Sequence, residues 1–313
     1  METRAVDLAD WLLAHGRTSI TTTEAAQVLE IPAEQVRVRL HRQVQTQHLF
    51  SPARGLWIPI PPEYRSWGVT PVTHFLHDLM THLNRTYYLG WLSAAELHGA
   101  SHQRAQVSQV AVNRPTADRD IGRARLRFHT RTHLPTLTGT NPSTADAHRL
   151  TTPPASAGRS AGRSAGRSVG TAGSATAVQT HPVPTGTVLI SSPELTALDL
   201  CEHPARGGGL SNVATVVGEL VDEAGLDPEV LTVLASTVAT ATIRRLGYLL
   251  TLLNDQDLLS TDVEVVPVLE RLQEHLHAQP SAQPALLDPR GPRRGTRDPA
   301  WGLILNTDVE PDL

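Results

Sequence analysis

The stretch Pro32-Ala33-Glu34-Gln35-Val36-Arg37-Val38-Arg39-Leu40-His41-Arg42-Gln43-Val44-Gln45 places an aliphatic residue at every fourth position, Val36, Leu40 and Val44. That spacing predicts a helix with one buried face, opened by Pro32 in its first turn, where a missing N–H breaks no helical hydrogen bond. With successive side chains about 100° apart, the opposite face carries Glu34, Gln35, Val38, His41, Arg42 and Gln45, flanked by Arg37 and Arg39. Upstream, Thr21-x-x-Glu24 is a capping-box pattern that opens a shorter helix with Ala25, Ala26 and Leu29 inward, and Ile31-Pro32 makes the turn. Further back, Ala5, Leu8, Ala9, Leu12 and Leu13 form a helical stripe that ends at Gly16. Downstream, Leu49-Phe50-Ser51 and Leu56-Trp57-Ile58 flank Pro52-Ala53-Arg54-Gly55, a short hairpin with Arg54 at its tip.

Three helices with a tight turn between the second and third, followed by a hairpin, is the order of a winged helix-turn-helix, expected over residues 1–66. Its chemistry suits DNA, because a helix with Gln and Arg donors on its open face fits the major groove and a wing arginine reaches phosphates. Residues 31–66 hold five arginines against two acids. The expected contact set is Gln35, Arg37, Val38, Arg39, His41, Arg42 and Arg54, with Gln35, Val38 and Arg42 toward base edges and Arg37, Arg39 and Arg54 toward phosphates. The same order of elements also serves protein docking, so an adaptor without DNA binding is the alternative.

The chain has 313 residues, enough for two domains. All 27 basic residues are arginine, against 31 acids, for a net charge of −4. That balance is uneven: residues 1–66 are neutral, 67–176 carry +7 and 177–313 carry −11. A single cysteine, Cys201, excludes an internal disulfide and any zinc site built on paired cysteines. The longest uncharged apolar stretch, Val230 to Ile243, has 14 residues, short of the roughly 20 that a membrane-spanning helix needs. The first residues carry acids where a signal peptide carries a basic region. The expectation is a cytoplasmic protein with no membrane partner.

From Trp67 onward a second domain is expected, running to residue 313. Phe75, Leu76, Leu79, Met80 and Leu83 mark a helix over 71–83, and Ser93-x-x-Glu96 opens another that Gly99 closes. Strands are expected at 107–113, 124–129, 187–190 and 301–307, and helices at about 193–202, 212–224, 228–240, 241–253 and 263–277. Between them lies a stretch rich in Thr, Ala, Gly, Ser and Pro, with Ala-Gly-Arg-Ser three times over in residues 157–168. No apolar periodicity survives there, so ordering it costs backbone entropy with almost nothing to bury. A disordered, dispensable insertion is expected at about 136–182.

The segment Tyr87-Tyr88-Leu89-Gly90-Trp91-Leu92-Ser93-Ala94-Ala95-Glu96-Leu97-His98-Gly99-Ala100 resembles a signature of the AbiEi-family antitoxins of type IV toxin–antitoxin systems. Three further blocks do so too: Ser191-Ser192-Pro193-Glu194-Leu195-Thr196-Ala197-Leu198-Asp199-Leu200, Gly208-Gly209-Leu210-Ser211-Asn212, and Arg244-Arg245-Leu246-Gly247-Tyr248-Leu249-Leu250. Asn306 and the acids after it resemble the family's C-terminal end, and the long insertion is a departure from it. The resemblance implies an α+β chain: an N-terminal winged helix-turn-helix followed by a mixed α/β C-terminal antitoxin domain rich in helices. It implies repression of the protein's own operon at operators with inverted repeats, and neutralisation of a nucleotidyltransferase-like toxin by the C-terminal domain. Glu194, Asp199 and Asn212, polar residues inside the most specific blocks, are the candidate antitoxin positions.

No catalytic residue, cofactor or metal is assigned. His74 and His77 stand three apart and His98 and His102 four apart, but there is no HExxH and no third ligand at a metal-binding spacing. Gly207-Gly208-Gly209 lacks the Lys-Ser/Thr of a phosphate loop, and Cys201 falls on an apolar helical face. Some relatives are proposed to silence the toxin by phosphorylation. The enzymatic alternative is therefore kinase-like, with Glu194 and Asp199 on magnesium and Arg244 or Arg245 on phosphates.

Overall fold

The computed structural model describes residues 7–100, 106–131, 134, 177–260, 262, 264–278 and 283–313. Helix α1 (Leu8–Ala14) is capped by the Asp7 carboxylate, which accepts from the N–H groups of Ala9 and Asp10. Strand β1 (Ile20–Thr21), helices α2 (Thr22–Leu29) and α3 (Ala33–Gln45), and strands β2 (Leu49–Ala53) and β3 (Leu56–Pro59) come next in the chain. The Thr21–Glu24 box closes in both directions: Glu24 accepts the Thr21 N–H at 2.8 Å, and the Thr21 hydroxyl accepts the Glu24 N–H at 3.3 Å.

Helix α3 departs from the sequence pattern in two details. Pro32 stands at the N-cap, one place before the first helical residue. Val36 and Leu40 are fully buried, whereas Val44 is exposed and Gln43 turns inward, its side-chain oxygen accepting the Ala9 N–H at 3.1 Å. Helical periodicity accounts for this. Steps of four residues drift by about 40° each, so the face set by Val36 and Leu40 continues at residue 43.

Strand β3 is the centre of an antiparallel sheet of order β1-β3-β2. It is buried on both faces. Trp57 points toward α1 to α3, joining Leu8, Leu12, Ile20, Val36, Leu40 and Leu49 in one cluster. Leu56, Ile58 and the adjacent Ile60 point the other way, into a cluster that contains Phe75, Leu76, Leu79 and Met80 of α4 (Val72–His82). The alternation is that of any strand, but here both sides are core. The hydrophobic cluster therefore crosses residue 66, and the packing runs unbroken from the N-terminal unit into the sheet and helices beyond it. Polar contacts reinforce the seam: Thr18 Oγ1 donates to Asp78 at 2.8 Å, and Arg119 Nη1 donates to the Pro52 carbonyl at 3.0 Å.

The body is built on a six-stranded mixed sheet of order β6-β7-β5-β4-β9-β8. Its strands are β4 (Tyr87–Leu89), β5 (Ser108–Val112), β6 (Arg119–Ile121), β7 (Ala124–Thr130), β8 (Val178–Val183) and β9 (Gly186–Ser191). Tyr87, Leu89, Val110 and Val112 face α4, while Tyr88 and Ala111 face a larger helical core. That core is made by α5 (Trp91–Leu97), α6 (Pro193–Glu202), α7 (Leu210–Ala224), α8 (Pro228–Ala235), α9 (Thr240–Asp255) and α10 (Val266–Ala278). Three short strands, β10 (Ala285–Leu286), β11 (Thr296–Asp298) and β12 (Leu303–Leu305), form a small sheet. Ser93 does not cap α5, which starts two residues earlier. Its hydroxyl instead donates to the Val107 carbonyl and accepts the Gln109 N–H, fastening the helix to β5.

The expected insertion is corrected at its C-terminal end. Residues 178–183 are strand β8, paired with β9 from Val178↔Ser191 to Val183↔Gly186, and Ala177 and Val178 are buried in the main core. Six backbone pairings and two inward side chains outweigh the poor composition of the preceding stretch. Residues 135–176 lie outside the described residues. A chain lacking 136–182 is expected to melt about 5–10 °C below a chain lacking only 136–176, since it loses roughly 2–3 kcal/mol of apolar burial. Coincident melting midpoints in calorimetry would overturn this role for β8.

Candidate functional site

Two places collect candidate side chains, the outer face of α3 and the N-terminal block of the helical core. On α3, Gln35, Arg37, Val38, Arg39, His41 and Arg42 are all exposed, Val38 at 79 %. No carboxylate among the described residues pairs with Arg37, Arg39 or Arg42. Burying Val36 and Leu40 fixes the roll of the helix and leaves these groups on the open side. Arg54 is exposed at the β2–β3 turn, and the backbone there is held twice: the Gly55 carbonyl accepts the Thr22 N–H at 2.9 Å, and the Arg54 carbonyl lies 3.0 Å from His82 Nε2.

The second place is centred on Asp199, which is fully buried. Tyr88 Oη donates to its Oδ2 at 3.0 Å, and Arg131 Nη1 donates to its Oδ1. Arg131 also reaches Tyr88 Oη and, through Nη2, Glu202 at 2.6 Å each. The indole N–H of Trp91 donates to the Asp199 carbonyl at 3.0 Å. Burial pushes the Asp199 carboxyl up to about 6 against the pull of Arg131 and Tyr88. Although desolvation works against the Arg131 guanidinium, the charge of Asp199 and the neighbouring Tyr88 and Glu202 hold it above its usual range.

The backbone is shaped to fit this carboxylate. Trp91 has φ 51°, a left-handed conformation unusual for a bulky residue and held by its indole bond and its packing. His129 meets its ring edge-on at 4.9 Å, and the Arg206 guanidinium lies 4.7 Å over it. A Cβ at Gly90 would stand 2.9 Å from the Tyr88 ring and 3.1 Å from Asp199 Oδ2, so glycine is required by space. Burial, with the Arg206 charge nearby, pushes the His129 imidazole down to about 4.

Of the three sequence-selected antitoxin positions, Asp199 is this centre and the other two serve locally. Glu194 is buried, and its Oε1 accepts the Asp227 N–H at 2.9 Å, joining α6 to the start of α8. Asn212 donates to the Gly207 carbonyl at 2.7 Å, tying the glycine turn to α7. Arg244 donates to the carbonyls of Gln283 and Gly302, and Arg245 to those of Leu286, Leu287 and Cys201. The groups of the magnesium and phosphate alternative are thus each engaged in hydrogen bonds that hold the fold. Among the described residues no three His, Cys, Asp or Glu side chains stand together as metal ligands. Cys201 is buried, and burial pushes its thiol up to about 12.

Arg131, Glu202 and Arg206 went unselected in the sequence. Arg131 carries no local signal, because it stands just after β7 at the edge of the low-complexity stretch. Tyr88 and Trp91 lay in plain view within the contiguous block from Tyr87 to Ala100.

A family model described as the AbiEi antitoxin C-terminal domain matches residues 88–252, from Tyr88 through most of α9. The crystal structure of RV2827C protein from Mycobacterium tuberculosis is similar with a TM-score of 0.58 and 16 % identity, covering 97 % of this chain and 92 % of that one. No curated protein matches.

The Asp199 centre has a pH signature. Its folded pKa, about 6, lies above the ordinary carboxyl value of 3.8, so its contribution to stability is complete below about pH 4 and is lost as pH rises through 6. Asp199→Asn keeps an uncharged oxygen acceptor for Arg131 and places an amide donor opposite Tyr88 Oη, whose hydroxyl turns to accept it. The variant is expected to fold at pH 7 and to lack that dependence, so the wild type loses stability relative to it between about pH 4 and 6. His129 titrates in the same window with opposite sign but is common to both chains. Asp199→Ala removes the buried carboxylate from Arg131, which keeps Glu202 and Tyr88, and is expected to cost about 1.5–3 kcal/mol. Parallel pH profiles for wild type and the Asn variant in urea denaturation would refute the assignment.

Proposed function

The chain belongs to the AbiEi antitoxin family, and from that premise we propose that it neutralises a nucleotidyltransferase-like toxin and represses its own operon from the cytoplasm. The family match carries the antitoxin reading. The repressor reading rests on one observation, the row of exposed donors on α3 that no described carboxylate pairs. We read residues 1–66 as a winged helix-turn-helix: α2, a three-residue turn and α3 form the helix pair, and β2–β3 form the wing.

In this reading α3 lies in the major groove. Gln35 and Arg42 contact base edges, Val38 packs on a thymine methyl group, and Arg37, Arg39 and Arg54 neutralise phosphates, with His41 at the groove edge. The charge distribution supports this placement, since residues 177–313 carry −11 and are repelled by DNA. Paired half-sites are implied by the family, so the operator is an inverted repeat. Antitoxicity belongs to the body, with the Asp199 centre holding its signature blocks together.

Gel shifts with the DNA upstream of the protein's own reading frame test the repressor half. Arg42→Ala is expected to lose about 1–3 kcal/mol on the specific site. Arg37→Ala/Arg39→Ala is expected to flatten the salt dependence by about 0.9 per lost phosphate contact. The same full-length variants are expected to rescue growth from the toxin as well as wild type does. Unchanged operator affinity in Arg37→Ala/Arg42→Ala would remove the DNA reading, and loss of rescue in those variants would remove the division of labour.

A further inference from the structure

A half-open cavity of about 200 Å³ lies on the seam between the N-terminal unit and the body. Four segments wall it: the turn after α1, the end of β3, the start of α4 and the turn between β8 and β9. Leu13, Ile58, Pro59, Pro61 and Pro184 give it an apolar lining. An apolar space of roughly 150 Å³ admits benzene, so this one has room for about eight non-hydrogen atoms.

Most polar side chains of the wall are already engaged. The Thr18 hydroxyl donates to Asp78 at 2.8 Å, the Thr185 hydroxyl donates to the His74 carbonyl at 2.8 Å, and the Arg17 guanidinium pairs with Glu24 at 2.7 Å. Two groups are not. Thr70 is 4 % exposed, and its hydroxyl has no hydrogen-bond partner among the described residues. A buried hydroxyl is ordinarily paired, because an unpaired one forfeits the bonds it makes in water. The His74 ring meets Tyr64 edge-on at 5.7 Å, and its nitrogens make no hydrogen bond among the described residues. Burial pushes its pKa below the usual 6.5, so at pH 7 the ring is neutral, with one donor and one acceptor nitrogen.

The wall offers an ion nothing. Arg17 is its charged residue and is balanced by Glu24, so an entering ion would lose hydration without gaining a counter-charge. We propose that this cavity is a binding site for a small neutral alcohol or phenol, whose carbon body fills the apolar space and whose hydroxyl pairs with the Thr70 hydroxyl, the His74 ring being the second partner. The site goes beyond the antitoxin and repressor readings and depends on neither. Because its wall is drawn from both the N-terminal unit and the body, an occupant ties the two together.

The test titrates the full chain, labelled for amide NMR, with benzyl alcohol, which matches the cavity in size. Saturable shifts are expected at the amides of Gly16 to Thr18 and of Val72 to His74, with a Kd of about 1 mM. Toluene, which lacks the hydroxyl, is expected to bind about fivefold more weakly, and benzoate not to bind. Thr70→Val removes the hydroxyl at nearly constant shape. It is expected to remove most of the preference for benzyl alcohol over toluene without lowering the melting temperature of the free chain, since the hydroxyl it deletes bonds nothing. Thr185→Trp, at the exposed rim, is expected to plug the mouth and abolish binding of both, and Pro184→Trp replaces it if that chain unfolds. Shifts that are scattered, fail to saturate or survive the plug overturn the site. Toluene binding as tightly as benzyl alcohol, or benzoate binding more tightly, overturns the ligand class, and a preference unchanged in Thr70→Val overturns the role of Thr70. Absence of any shift marks a cavity that holds water only and overturns the proposal.

Discussion

The carboxylate of Asp199 is shut off from water, so its partners must come from the protein, and the fold is arranged to deliver them. One donor arrives from strand β4 through Tyr88, one from the end of β7 through Arg131, and the carbonyl of the same residue takes the indole N–H of Trp91. Segments far apart in sequence thereby meet at one residue on α6. The local oddities nearby have the same cause. Gly90 leaves room for the carboxylate, and Trp91 accepts a left-handed backbone to point its indole inward. A buried charge with incomplete donors costs several kcal/mol, so each of these elements depends on the others for its place.

A second constraint joins this centre to the face of α3. Strand β3 has no solvent face: Trp57 belongs to the core under α3, and Ile58 belongs to the core shared with α4 and the central sheet. Two side-chain clusters, one with Leu40 and Trp57 and one with Ile58, α4 and Leu89, share the backbone of β3, and Leu89 adjoins the Tyr88 that holds Asp199. The seat of α3 and the antitoxin block are thus parts of one packed body. Swapping such a unit between relatives would require the whole β3 interface to travel with it.

The surface divides by charge where the interior does not. Exposed arginines gather on α3, while residues 177–313 carry −11 and their acids at 308, 310 and 312 are exposed. The α3 face and the body thus differ in charge. Arginine as the sole basic residue suits this, because its planar fork binds phosphate, carboxylate and backbone carbonyl alike. Arg131, Arg244 and Arg245 are spent inside the body on the last two.

Elements with local signals could be read directly from the chain. The capping box at Thr21 and Glu24, the left-handed Gly99 after α5, the Ser192-Pro193 start of α6 and the inward face at Val36 and Leu40 are each written within one or two turns. The long signature blocks pointed to the family for the same reason, since they are contiguous. Packing decided the rest. Strand β8 was hidden because its pairing partner, not its composition, orders it. Gln43 replaced Val44 because a helix turns at about 3.6 residues, and α1 lay opposite that position. Arg131 became the partner of Asp199, and Leu313 found Gly218, through contacts across 68 and 95 residues of chain. No pattern in either segment announces such a meeting, because what selects it is the geometry of a buried charge and of an empty socket, which exist only after the helices have packed.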